Sequence, residues 1–203
     1  IRNINRITGM TLPIDAAAML MFECDGAEEL VAHDSERVIN VCKAMGATGV
    51  IVPEGAAEAQ AYWKARGAGF AAVFSSAPTV LAEDVTVPRT RMAEFIRRTT
   101  DICKTAGLDV TVIGHAGDGN LHPSVMTDQN DPEHFEKAKK AVDEIIAAAI
   151  EFGGVLSGEH GIGLEKQKFM RRTQDPTFIE LMKQIKRIFD PKGILNPGKI
   201  WED

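Results

Sequence analysis

The chain has 203 residues, with 23 Lys plus Arg against 29 Asp plus Glu, so it carries a formal charge of −6; with no basic run to add to that, nucleic acid is excluded as an expected partner. Its length allows a sizeable core without disulfides, and Cys24, Cys42 and Cys103 form no CxxC pair, a pattern that suits a reducing, cytoplasmic compartment. No apolar run approaches the ~20 residues of a membrane span, the first six residues lack signal-peptide features, and the missing initial Met points to a fragment.

Residues 18–23 form an apolar run of strand length closed by Asp25-Gly26. A helix should follow, because Val31, Val38, Val41, Cys42 and Met45 recur at helical spacing up to Gly46. Residues 49–52 read as a second strand, and the Ala-rich stretch 56–66 as a second helix. From residue 81 the pattern is clearer. Leu81 to Val87 alternates as a strand ended by Pro88, and Met92, Phe95, Ile96, Thr99, Ile102 and Ala106 form a helical stripe stopped by Gly107. Residues 108–113 then read as a strand, Asp118-Gly119 as a hairpin turn, and residues 121–126 as the return strand. Asp131-Pro132 caps a long helix running to Gly153-Gly154, and Val155-Leu156 gives a last short strand. Two helices close the chain, the second opening at Asp175-Pro176.

Residues 81–156 therefore follow the order strand, helix, strand, strand, helix, strand of a ferredoxin-like split βαβ unit, and the predicted fold class is α+β. Residues 18–66 could be a degenerate second copy, so that two such halves share an antiparallel sheet covered by helices. No sequence repeat supports the second copy.

The chemistry concentrates in two glycine-rich segments. If Asp118-Gly119 is a two-residue loop, His115 faces His122 directly, with Cβ atoms ~4.5–5.5 Å apart, and both imidazoles can reach one metal at ~2.0–2.1 Å. Glu159 follows the last strand and could add a carboxylate, leaving an open position for catalysis. In extended chain its neighbour His160 points away, free to act as a base. The plain alternative is that these residues only shape tight turns. His33 and His134, both on predicted helices, carry no special role.

The segments His115-Ala-Gly-Asp-Gly-Asn-Leu-His122, Ser157-Gly-Glu-His-Gly-Ile-Gly163 and Asn196-Pro-Gly-Lys199 resemble the C-terminal domain of the FAD-linked oxidases of the vanillyl-alcohol oxidase superfamily. Within it they resemble the group of glycolate oxidase subunits, D-lactate dehydrogenases and D-2-hydroxyglutarate dehydrogenases. Weaker matches are residues 13–26, Trp63-Lys-Ala-Arg66 and Asp84-Val-Thr-Val-Pro88, so the likeness spans nearly the whole chain.

The resemblance implies that residues 1–203 are the substrate- and metal-binding cap of a flavin-dependent dehydrogenase, which oxidises a D-2-hydroxy acid of glycolate or D-lactate type to the 2-oxo acid. It implies His115, His122 and Glu159 as ligands of a divalent Zn, Mn or Fe ion, and His160 as the base. Arg66 is implied as the clamp on the substrate carboxylate, Asn120 and Ser124 as further substrate contacts, and Asn196 as a residue lying against the flavin domain. Arg66 could equally be a solvated helix residue, Asn120 a turn residue and Asn196 a helix-terminal one. Ser124 stands where the hydroxyglutarate enzymes carry Asn, and no Lys lies between Val80 and Asp84 where they place one. Both departures argue against hydroxyglutarate as substrate.

FAD is expected to bind mainly to an N-terminal domain absent from this chain, since no GxGxxG-like phosphate loop follows any predicted strand. The chain alone is accordingly expected to be inactive. The implied partners are that FAD domain and an electron-acceptor subunit, which would also be the route to a peripheral membrane location. Two other classes stay open on the residues alone: a metal-dependent hydrolase using the same donors, and a non-catalytic ferredoxin-like module that binds a small molecule.

Overall fold

A computed structural model describes residues 1–201. Residues 1–72 and the chain from Val73 onward form two compact units. The first holds α1 (Arg2–Thr8), α2 (Glu28–Ala44), α3 (Ala56–Gly67) and the start of α4 (Gly69–Phe74). In it α1 packs against α3, and the Asn5 side-chain amide clamps the chain after α1. Asn5 Nδ2 donates to the Leu12 carbonyl at 2.8 Å, and the Leu12 N–H donates back to Asn5 Oδ1 at 2.9 Å.

The predicted strands at 18–23 and 49–52 do not form. Leu20 and Phe22, like Ile51 and Val52, are exposed in segments without a ladder. An apolar run has strand character only when a neighbouring backbone takes up its N–H and C=O groups, and among the described residues neither run has such a neighbour. The first unit is therefore helical, and the expected second ferredoxin-like copy is absent from it.

The second unit carries the sheet: β1 (Thr79–Ala82), β2 (Val85–Thr86), β3 (Val110–His115) and β4 (Asn120–Thr127), all antiparallel to β4. Helices α5 (Met92–Ala106), α6 (Pro132–Glu151), α7 (Gln167–Thr173) and α8 (Pro176–Phe189) complete it. Among the described residues no helix is long and apolar enough to cross a membrane.

Ala82 pairs with Ser124 and Val85 with Leu121, which is one unbroken register that sets Glu83 opposite Pro123 and Asp84 opposite His122. The single strand expected from 81 to 87 is thus present, interrupted in its ladder. Pro123 explains the break. It accepts from the Glu83 N–H at 2.8 Å but has no N–H to return, so one rung is lost. The last predicted strand is reduced to one bridge between Val155 and Thr86. Across the sheet the order is Val155, then β1 with β2, then β4, then β3, the order of a ferredoxin-like unit.

Helices α5 and α6 cover one face of this sheet. Phe95, Thr99, Ile102 and Cys103 form the buried stripe of α5, and Asp131 caps α6 by accepting the His134 N–H at 3.1 Å. Alanines at 138, 141, 148 and 149 let α6 lie close to Val85, Leu121 and Val125, while Ile145 and Ile146 fill the layer between. Phe95 meets Phe152 edge to face with ring centroids 5.8 Å apart.

The hairpin closes on Gly119, whose φ of 80° is left-handed and whose missing Cβ is replaced by the Val87 carbonyl oxygen. Gly119→Ala is expected to destabilise this unit by about 2–4 kcal/mol, since backbone strain and a backbone clash act together. Urea unfolding checks this; a change within ~0.5 kcal/mol, as at an ordinary surface position, refutes it.

Candidate metal centre

The β3–β4 hairpin supplies the floor of the site. His115 pairs with Asn120 and His122 with Ile113, so the loop has four residues and the expected direct pairing of the two histidines is incorrect. The Asp118 and Gly119 N–H groups both donate to the His115 carbonyl at 3.0 Å, which forms the wider turn. The register differs from the expected one by two residues. Because side chains alternate with period two, His115 and His122 still share a face, now as diagonal neighbours. Their rings meet edge to face with centroids 5.7 Å apart.

Glu159 arrives from the loop after Val155. Its Oε1 lies 3.0 Å from His122 Nε2 and 3.6 Å from His115 Nε2, and the three donor atoms fall within 4.8 Å of one another. Two ligands at ~2.1 Å from a tetrahedral ion would be ~3.4 Å apart, a value that the two distances from Glu159 bracket. The His122 side chain is 1% exposed, while those of His115 and Glu159 are 38% and 50% exposed. The cluster is closed at its base and open at its rim, where a further ligand could enter.

His160 does not point away from this cluster. Its ring stacks on His122 with centroids 5.1 Å apart and planes inclined by 14°, and its Nε2 is 4.0 Å from Glu159 Oε1. The reason is that residues 157–160 are not extended. The N–H groups of Gly158, Glu159 and His160 all converge on the Asp84 carboxylate, at 3.0–3.1, 3.1 and 2.8 Å, whereas an extended chain turns successive N–H groups to opposite sides. The Ser157 hydroxyl donates to the same carboxylate at 2.5 Å and accepts the Gly161 N–H at 2.7 Å. Gly158 is closely enclosed here, because a Cβ would sit 2.5 Å from the Asn120 side chain and from Thr86 Oγ1, and one of them would have to move.

Asp84 was assigned no role from the sequence. Three of its four donors are backbone groups, which leave no sequence signature; the one available signal was a carboxylate within a β-rich stretch that otherwise disfavours Asp. Lys166 was also missed. This buried side chain donates to the Asp84 carbonyl and lies 3.4 Å from the Glu83 carboxylate, so the loop is tied to the same strand at its far end.

The electrostatics follow from burial and hydrogen bonding. Burial holds His122 below the usual histidine range despite the opposing pull of Asp84 and Glu159, favouring the neutral imidazole that can coordinate a cation. Burial also resists ionisation of Asp84, but the Ser157 hydroxyl and the N–H groups of His160, Glu159 and Gly158 outweigh it and hold that carboxyl at about 2. Glu83 is raised by its burial, against the pull of Lys166.

Asn120 and Ser124 share the face of His122 through the β4 alternation, and both are buried. Arg66 lies on α3 in the first unit. Asn196 occupies the turn after α8 at a left-handed φ of 47°, where Asp190 accepts the Ile194 and Leu195 N–H groups at 3.0 Å. His134 accounts for itself structurally, with Nδ1 2.9 Å from Thr127 Oγ1.

Residues 1–200 match the family described as FAD linked oxidases, C-terminal domain. The chain is 38% identical over 190 residues to the glycolate oxidase subunit GlcD of Bacillus subtilis, covering 94% of this chain and 40% of that protein. It is 39% identical over 192 residues to a D-lactate dehydrogenase of Anaerostipes hadrus, covering 92% and 40%. It thus spans about two-fifths of the length of these relatives. A 4-ethylphenol oxidase from Gulosibacter chungangensis, solved with isoeugenol, shares the fold with a TM-score of 0.57 at 22% identity, over 89% of this chain and 38% of that one.

The Asp84 cage predicts a pH dependence of stability. A folded-state value near 2, against an ordinary 3.8, means the stabilisation is present above pH 3.8 and is lost as pH falls through 2. In urea unfolding, Asp84→Asn is expected to cost on the order of 2 kcal/mol at pH 6, and the gap to wild type should narrow to below about 1 kcal/mol at pH 2. A gap that does not change with pH would show that the carboxylate is not ionised in the fold.

Proposed function

This chain belongs to the FAD-linked oxidases as their C-terminal domain, and from that premise we propose that residues 1–203 form the substrate- and metal-binding cap of a dehydrogenase that oxidises a small D-2-hydroxy acid to the 2-oxo acid. The observation that carries this reading is the convergence of His115, His122 and Glu159, with His160 stacked beside them, at one half-open point. Membership of an FAD-linked family favours oxidation over the hydrolysis that the same donor set would permit.

In this reading His115, His122 and Glu159 hold a divalent cation, with Zn, Mn and Fe all compatible with two imidazoles and a carboxylate. When bound, the cation supplies a Lewis acid for the substrate hydroxyl, and flavin supplies the two-electron acceptor for the α-hydrogen. His160 accepts the hydroxyl proton on Nε2, and the α-hydrogen departs with its bonding electrons, leaving the carbonyl of the 2-oxo acid. Asn120 and Ser124, polar and buried on the His122 face, orient the substrate. The carboxylate clamp assigned to Arg66 rests on the Trp63-Lys-Ala-Arg66 motif, and the place of Asn196 against the flavin domain rests on Asn196-Pro-Gly-Lys199.

The flavin is held mainly by a separate N-terminal domain of the full-length protein. Two observations support this: the chain spans 40% of the relatives' length, and no GxGxxG-like segment follows any of its strands. Glycolate and D-lactate are the acids to try first, because the relatives named for each are similarly identical to this chain. The proposed setting is cytoplasmic, with electrons passed to a partner subunit.

Metal analysis of protein purified without chelator is expected to give close to one equivalent, lost in His122→Ala and retained in His160→Ala. In the protein carrying its flavin domain, His160→Ala should lower turnover by ~10²–10⁴ at unchanged metal content. Metal loss in His160→Ala would make His160 a ligand and overturn the division of labour.

A further inference from the structure

The half-exposed Glu159 side chain brings its Oε1 to 3.0 Å from His122 Nε2 and 3.6 Å from His115 Nε2. Its backbone is anchored together with its neighbours', because the N–H groups of residues 158–160 are gathered by Asp84. Asp84 in turn sits opposite His122 in the β4 register, so the strand pair that carries the buried histidine also carries the anchor of the loop. The loop is pressed onto the same floor at Gly158, where Asn120 and Thr86 leave no room for a side chain. Lys166 fixes its other end to Glu83 and Asp84.

We propose that Asp84 is the positioning residue of the metal centre: by binding the backbone of residues 158–160 it delivers Glu159 to the two histidines and lays His160 on His122. This rests on the metal reading given above. Asp84 would then act without coordinating the ion, as partners outside the coordination sphere commonly do when they orient a ligand. Two rival roles differ from it in a measurable way. A residue that merely stabilises the fold leaves metal affinity unchanged in folded protein. A buried anion that attracts the cation through space contributes independently of Glu159.

The test is titration of the 203-residue chain with Mn²⁺, with free ion followed by electron paramagnetic resonance. Wild type should saturate near one equivalent, and His122→Ala should abolish that binding. Asp84→Asn should weaken it by ~10–100-fold in protein that is folded by circular dichroism. Ser157→Ala, which removes one hydrogen bond to the carboxylate, should weaken it by ~3–10-fold. Because Asp84 acts through Glu159, the double variant Asp84→Asn/Glu159→Gln should bind within about 2-fold of Glu159→Gln alone. Wild-type affinity in Asp84→Asn, or additive losses in the double variant, overturns this inference and leaves the metal reading standing. If Asp84→Asn does not fold, Ser157→Ala alone and combined with Glu159→Gln decides by the same criteria. No binding by wild type, or binding unaffected by His122→Ala, overturns the metal reading and this inference with it.

Discussion

A buried carboxylate must find hydrogen-bond donors or stay protonated, and Asp84 finds all of its donors in one short segment. The Ser157 hydroxyl and three consecutive N–H groups all donate to its Oδ2, with the Gly158 N–H shared with Oδ1. Neither side of this contact is satisfied without the other. Separated, Asp84 would be a buried carboxylate without these donors, and three N–H groups of the loop would lose their acceptor. The same segment carries Glu159 and His160, whose side chains both lie against His122.

The sheet contributes a constraint of a different kind, one of parity. His115 and His122 share a face in any register that differs by an even number of residues, so the loop between them can vary in length without dividing the pair. Pro123 adds to this. As the residue next to His122 in the central strand, it removes one rung toward Glu83 while accepting another, and the adjoining strand is locally loosened where Asp84 turns to the loop.

How much of this was legible in the sequence depends on where each element's partners lie. Helices α5 and α6 were legible because their determinants are local: a stripe at helical spacing, Asp131 at one end, Gly107 at another. The strands at 18–23 and 49–52 were misread because β-propensity reports a surface that fits a sheet, and whether a neighbour exists is decided elsewhere in the chain. The convergence of His115, His122 and Glu159 was legible as a set, since glycine-rich loops at strand ends advertise such side chains. Their geometry was only half legible: Asp118-Gly119 signals a turn but does not set its length, and the orientation of His160 follows from contacts with Asp84, 76 residues away. That last distance also hid Asp84 itself.

The same separation orders events as the chain folds. The hairpin joins residues few positions apart and can close early, so His115 and His122 are brought together by a short loop. Glu159 can join them only after α6 has formed and returned the chain to the strand at Thr86. Contacts of such span are made late, since their loop-closure entropy is met only once the intervening structure exists. In a partly folded chain the two imidazoles can therefore meet before any carboxylate reaches them, and the cluster of three side chains is completed only as Val155 docks on Thr86.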